Sequence, residues 1–294
     1  MKLFDNQLNW YKGNLHCHTN ISDGAVSPDK CVEMYKEHGY DFLSITDHRK
    51  YYAGYQEKNF LMLSGTEFHL NNLVPRKAYH IVGIGIENEI YTDDDFTPQR
   101  IIDEINKQNG IAIIAHPSWS LLTHSDLLDL YDYAGIEVWN SISEVQSLRG
   151  NSSGYLDVAA SKGTVKLMFA SDDTHKYGKE LFGGYSMVNS GSLDKYSIME
   201  SIRAGNFYCS QGPEIKQITV NEDSIYVECT PVKHIAFLSD TFFSARDKIW
   251  YREDGLLDEA SYKIRETDNI VRVEFTDENG KKAWSQFIYV NVKK

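Results

Sequence analysis

The chain has 294 residues, 41% of them hydrophobic and 24% charged, an ordinary globular balance with room for one large domain and a small one. A formal net charge of −12, with no basic run longer than a few residues, leaves no broad positive surface for a long nucleic acid. No apolar stretch is long enough to span a bilayer, residues 1–11 lack a signal-type apolar region, and Cys17, Cys31, Cys209 and Cys229 form no Cys-x-x-Cys. These features predict a cytoplasmic protein with reduced, structural thiols and no membrane association.

The first informative segment is Asn14-Leu15-His16-Cys17-His18-Thr19. Alternate residues of an extended strand share a face, so His16 and His18 project together while Leu15 and Cys17 face the other way. Ser22-Asp23-Gly24 follows, a turn-type cluster that can bring a carboxylate back over the strand end. Pro28 opens a helix through Cys31, Met34 and Tyr35 that stops near Gly39. A strand at 42–45 delivers Thr46-Asp47-His48 at its carboxyl end, and a strand at 61–65 delivers Thr66-Glu67. Asn71-Asn72 with Pro75 reads as a hairpin connection returning through His80 to Ile84, which predicts that Glu67 and His80 are neighbours.

A helix over 98–109 presents Ile101, Ile102 and Ile105 and ends at Gly110. The buried strand 111–115 then runs into His116-Pro117. A strand at 136–140, a helix toward Lys162-Gly163 and a strand at 165–170 lead into Ser171-Asp172-Asp173-Thr174-His175. Acids and imidazoles thus recur behind apolar runs, the arrangement of an α/β barrel whose strand ends converge at one face. His16, His18, Asp23, His48, Glu67, His80, His116, Asp172 and His175 are the candidate ligands. One ion takes about four to six ligands, so the set predicts a multinuclear site. Mixed imidazole and carboxylate donors without thiolate suit Zn, Mn or Fe better than Ca or Mg.

These motifs resemble the PHP family, the polymerase and histidinol phosphatase type of metal-dependent phosphoesterase, over about residues 9–212. The resemblance rests on the His16/His18 motif with Asp23, Thr46-Asp47-His48, Gly65-Thr66-Glu67, His80, Ala115-His116-Pro117 and Ser171-Asp172 with His175. It implies a distorted (β/α)7 barrel and up to three divalent ions. It also implies one ion near His16, His18, Glu67 and Asp172, a second near Glu67, His80 and His116, and a third near Asp23, His48 and His175. The family commonly ends its last motif Asp-x-His, whereas this chain offers two adjacent acids. Asp172 is favoured because it directly follows the strand and Ser171.

The expected activity is hydrolysis of a small soluble phosphate ester by a metal-activated hydroxide, with His16, His18, Asp23, His48, Glu67, His116, Asp172 and His175 as the catalytic set. Amide or carboxylic ester hydrolysis, and a binding or scaffold protein merely stabilised by metal, are the alternatives. Arg49 and Lys50 are the candidate substrate-binding cations, with Arg76 and Lys77 behind them; each also reads as an ordinary solvated loop charge. Asp47, Asp173, Glu137 and Asn140 are candidates to orient the ligands, and His69 shares strand parity with Glu67. His38, His124 and His234 lie outside the pattern.

Gln211-Gly212-Pro213 breaks the chain after a helix containing Ile198 and Ile202 and a strand at 207–210. The boundary expected is 1–212 for the hydrolase unit and 213–294 for an accessory unit. Short β-branched or aromatic runs at 215–220, 224–229, 235–238, 262–264, 271–275 and 287–292 predict a small β-sandwich there. Gly280-Lys281-Lys282-Ala283-Trp284-Ser285 resembles the end of the accessory domain in PHP proteins of the CehA/McbA type.

Overall fold

The computed structural model describes residues 1–71, 76–93, 95–242, 249–253 and 255–290. The chain begins β1 (Asn9–Asn14), α1 (Pro28–Glu37), β2 (Phe42–Ser44), β3 (Tyr55–Glu57), β4 (Phe60–Leu63), β5 (Gly65–Leu70), β6 (Tyr79–Ile84), α2 (Pro98–Lys107) and β7 (Ile111–Ile114). It continues α3 (His124–Leu128), β8 (Gly135–Asn140), α4 (Ser141–Ser147), α5 (Ser153–Ser161), β9 (Leu167–Ser171), β10 (Tyr185–Ser190), α6 (Lys195–Arg203) and β11 (Phe207–Ser210). The remainder is all strand: β12 (Ile215–Val220), β13 (Ser224–Val232), β14 (His234–Ser239), β15 (Ile249–Tyr251), β16 (Leu257–Lys263), β17 (Ile270–Thr276), β18 (Lys282–Ser285) and β19 (Ile288–Tyr289).

Local chemistry sets the helix ends. Ser27 caps α1 by accepting from the Lys30 amide, with Pro28 in the first turn, and Gly39 takes φ 73° just beyond the end. Thr97 and Pro98 repeat the device for α2, whose Ile101, Ile102 and Ile105 are fully buried against β6 and β7. Truncating one such isoleucine to alanine in a close-packed layer costs about 2–5 kcal/mol.

The strands form three sheets. One runs β5-β6-β7-β8-β9, antiparallel as far as β7 and parallel from β7 to β9. The longest follows the order β15-β14-β17-β18-β11-β10-β1-β2-β4-β3, with β19 on β17, and the third is β12-β13-β16. The fold is α/β, but among the described residues the ladders do not close into the expected (β/α)7 ring. The chain passes from one sheet to another at Ser64, between β4 and β5, and β5 returns directly as antiparallel β6 instead of crossing over through a helix. Isolated bridges, Cys17 to Thr174, His48 to Glu67 and Tyr52 to Gly65, link the segments beside the strand ends. The expected hairpin pairing of β5 with β6 is present; of its connection, residues 72–75 lie outside the described set, as do residues 291–292 of the last expected strand.

The main core lies between the sheets and helices of the first two thirds of the chain and includes Trp284 from β18. A second core, with Ile218, Val227, Phe237, Tyr262 and Phe275, fills the space between β12-β13-β16 and the β14-β17-β18 end of the long sheet, and Phe4 and Tyr208 join it. No helix among the described residues is long and apolar enough to cross a membrane.

Candidate metal centre

The carboxyl ends of β7 and β9, the segments following β1 and β2, and the facing sides of β5 and β6 meet at one cleft of 390 Å³. β1 ends at Asn14, so the His16/His18 pair lies just past its ladder, yet the chain stays extended enough for Cys17 to bridge Thr174. The alternation holds. His16 and His18 face the cleft with their Nε2 atoms 3.2 Å apart, while Cys17 points back to Cys31, Sγ to Sγ 3.8 Å.

Glu67 sits at the middle. Its Oε2 is 3.4 Å from His16 Nε2, 3.2 Å from His18 Nε2 and 2.9 Å from His48 Nδ1; its Oε1 is 2.8 Å from His80 Nδ1 and 3.5 Å from His116 Nε2. Asp23 stands at the rim, 3.5 Å from His18, 3.6 Å from His48 and 3.4 Å from His175. Three groups of side chains each bring donor atoms within 4.8 Å of one another: His16, His18 and Glu67; Glu67, His80 and His116; and His18, Asp23, His48 and His175. Eight of the nine expected ligands are therefore together.

The ninth, Asp172, is not. Side chains alternate along β9: Ser171 Oγ donates to Glu137 inside the site, Asp172 faces away, and Asp173 faces the site again. Asp172 spends both oxygens elsewhere, accepting from Tyr35 OH at 2.8 Å and from the amides of Phe182, Gly183 and Gly184 at 2.8, 2.8 and 3.0 Å. Asp173 Oδ1 instead lies 3.2 Å from His16 Nε2 and 3.1 Å from His18 Nε2. The preference for Asp172 is corrected accordingly. Asp173 and His116 adopt positive φ, 51° and 30°, where non-glycine residues are uncommon, and both lie at strand ends facing the cleft.

The outer contacts fix how the imidazoles are presented. His16 Nδ1 donates to Glu137 Oε1 at 2.7 Å and His175 Nδ1 donates to the Asp173 carbonyl at 2.8 Å, so in each ring the free lone pair is on Nε2, toward the cleft. Glu137 also accepts from the His116 amide at 2.9 Å and from Asn140 Nδ2 at 2.7 Å, and Asn140 donates to Asp173 Oδ2 at 3.1 Å. Asp47 accepts from the backbone and hydroxyl of both Thr19 and Ser22, holding the turn that carries Asp23.

The donor set fits divalent cations. Glu67 and Asp173 are buried, and their ion-pair partners among the described residues are all imidazoles. Asp173 Oδ1 and His48 Nδ1 are buried without a hydrogen-bond partner, although each has an opposing donor atom close by. Converging lone pairs of this kind repel one another until a positive charge stands between them. The same demand shows as proton affinity: burial works against a charged ring at His16, yet Asp173, Glu137 and Glu67 hold its pKa well above the ordinary imidazole value. Against the same opposing burial, Glu67 and Asp173 are held below the usual carboxylate range, with His16 foremost among the neighbours responsible. Asp172, outside this arrangement, is raised by burial to about 6.

His69 approaches, its ring centroid 4.7 Å from that of His48, and burial followed by the charges of His48 and Arg49 lowers it to about 4. The candidate cations do not converge. Arg49 donates to the His69 carbonyl at 2.7 Å, Lys50 is absent from the cleft wall, and Lys77 pairs with Asp126 at 2.6 Å. The wall contains residues that the sequence pattern did not mark: Asn71, Trp119, Ile142, Ser143, Gln146 and Lys176. None repeats a strand-end motif; Trp119, three residues after His116 and edge-on to it at 5.0 Å, was the nearest to a signal.

The chain belongs to the PHP domain family, whose model matches residues 14–182, more than half of its length. Its fold is similar to that of a two-domain protein from Bacteroides vulgatus described as containing a predicted PHP-like metal-dependent phosphoesterase. That likeness has a TM-score of 0.57 at 14% identity and covers 96% of each chain. An uncharacterized protein of Methanocaldococcus jannaschii is 25% identical over 142 residues, 44% of this chain and 82% of its own.

Proposed function

We propose that the protein is a metal-dependent phosphoesterase that hydrolyses a small soluble phosphate ester at a multinuclear centre. The observation that carries this reading is the convergence of imidazole nitrogens and the Glu67 and Asp173 oxygens in one cleft, with no lysine or arginine among the described residues pairing either carboxylate. His16, His18, Glu67 and Asp173 would hold one cation, Glu67, His80 and His116 a second, and His18, Asp23, His48 and His175 a third. Zn, Mn or Fe suits these donors, and divalent ions there supply Lewis acidity and a nucleophilic water at neutral pH.

The residues of the chain do the rest. Glu137 holds His16 with its donor nitrogen aimed at the cleft, and Asn140 steadies both Glu137 and Asp173. In hydrolysis a water oxygen bonds to phosphorus as the ester oxygen departs, and the water's proton ends on that leaving oxygen. In the same reading residues 1–212 form the catalytic unit, a distorted (β/α)7 barrel left open between β4 and β5, and residues 213–294 form the accessory one.

Metal analysis of protein purified without added metal, followed by assay on p-nitrophenyl phosphate and its bis ester after Mn, Zn or Fe loading, tests the proposal. Bound metal with turnover of either ester supports it. Turnover of amide or carboxylic esters alone, or a chelator-induced fall in melting temperature with no turnover of any substrate, overturns it.

A further inference from the structure

We infer that Lys176 is the residue that receives the substrate's phosphate, and that it favours phosphate monoesters over diesters. This rests on the phosphoesterase reading above and supplies the substrate class that reading leaves open. Lys176 is the one lysine or arginine in the cleft wall among the described residues. It is solvent-exposed, and no carboxylate among the described residues pairs with its ammonium group, whereas Arg49 is engaged by the His69 carbonyl and Lys77 by Asp126, and Lys50 does not line the cleft.

The backbone beneath it is fixed from two sides. Buried Glu180 accepts from the Lys176 amide at 2.7 Å, from Thr174 Oγ1 at 3.2 Å and from the Gly178 amide at 3.3 Å. Asp172 takes the amides of Phe182, Gly183 and Gly184 at the far end of the same loop, and Tyr177, next to Lys176, donates its hydroxyl to the His18 carbonyl at 2.6 Å. Two buried carboxylates therefore shape a loop whose adjacent cation is left unpaired over the cleft. A position set by the backbone and a free ammonium head on a long stem suit capture of a mobile anion, because little besides the side chain itself must be ordered on binding.

The charge of the ligand follows from the charge of the wall. At neutral pH a phosphate monoester carries close to two negative charges and a diester carries one. A lone lysine outside the metal cluster adds more to binding of the dianion than of the monoanion, since the attraction scales with the product of charges. The peripheral oxygens of a monoester are also free to meet it, whereas a second ester arm would occupy that side.

The test compares the metal-loaded wild type with Lys176→Met and Lys176→Arg on p-nitrophenyl phosphate and bis(p-nitrophenyl) phosphate, alongside calorimetric titration with inorganic phosphate. The expected result is a KM for the monoester raised about tenfold in Lys176→Met, with the diester changed less than about twofold, partial recovery in Lys176→Arg, and phosphate affinity weakened about tenfold. Metal content and melting temperature should stay at wild-type values, as suits an exposed side chain. Equal losses on both esters, or unchanged phosphate binding, would overturn the assignment. If no ester is turned over but phosphate binds in a Lys176-dependent way, the phosphoesterase reading falls while the anion subsite stands.

Discussion

The buried charges at the cleft and those around Arg272 are balanced in opposite ways. At the cleft, the ion-pair partners of Glu67 and Asp173 among the described residues are all imidazoles. Behind the C-terminal strands, Arg272, 1% exposed, is gripped by both Asp157 oxygens at 2.7 Å and by Glu274 at 3.0 Å, while Lys282 and Trp284 satisfy the rest of Glu274. The second cluster carries its own countercharge and can be complete in the isolated chain. The first has no lysine or arginine among the described residues to balance it, and its donors could hold metal ions. A neutral, closed network is what a structural role requires; an unbalanced, open one is what a binding site requires.

The comparison breaks most sharply at Asp173. Asp173→Asn should lose at least one cation per chain and more than about a hundredfold in activity, beyond the loss usual for an outer contact of a metal ligand, with circular dichroism unchanged. Asp172→Asn should do the reverse, keeping its metal while the melting temperature falls, because one of its two accepting oxygens becomes an NH2 and either the Phe182 amide or those of Gly183 and Gly184 lose their acceptor. An interchange of those two outcomes, read by metal analysis and thermal melts, would reverse the assignment.

At the other cluster, Arg272→Ala should destabilise the fold by about 3 kcal/mol in urea titration, the lower end for breaking a buried pair because Asp157 is 37% exposed, and should leave metal content alone. A smaller effect is expected from Glu137→Gln, which keeps the shape but weakens the grip on His16; metal affinity should drop about 10–100-fold.

The smallest effect concerns acid. Burial opposes the charge on Glu274, but Arg272 and Lys282 outweigh it and hold the carboxyl below its ordinary value. A depressed carboxyl contributes stability above the unfolded pKa of about 4.3, lost as pH falls through the folded value. Glu274→Gln should therefore flatten the decline of melting temperature with acidity below about pH 4.3, and an unchanged slope would remove Glu274 from that account.

Much of the centre was readable because metal chemistry uses a few residue types and strand ends repeat them. The Asp172 choice went astray for a reason of parity: which face β9 presents depends on Ser171 meeting Glu137 across the sheet, a tertiary fact. The local hint ran the other way, since Asp173-Thr174-His175 itself has the Asp-x-His spacing. Lys176 carried no signal at all, because an exposed lysine in a polar loop looks the same whether or not it overhangs a cleft. β10 escaped notice because Ser186, Asn189 and Ser190 interrupt its apolar pattern, and these polar groups are buried by pairing with β1 and β11. The open ring was equally hidden. Gly65 lies so tightly on Ser44 and Ile45 that a Cβ there would meet Ser44 Oγ at 2.2 Å, a constraint on the β4–β5 step that no periodicity reports.

The continuity of the long sheet limits how far the two ends of the chain are autonomous. Strand β18 hydrogen-bonds to β11, Trp284 lies in the core beneath the cleft, and Gln286 bridges the backbone of Met168 through both its amide atoms at 2.8 and 2.9 Å. The last thirty residues therefore furnish part of the wall on which β9 rests. Severing the polypeptide at Gly212 would strip that wall and bare the outer margin of β11, so the amino-terminal fragment would be expected to aggregate rather than survive as a miniature enzyme.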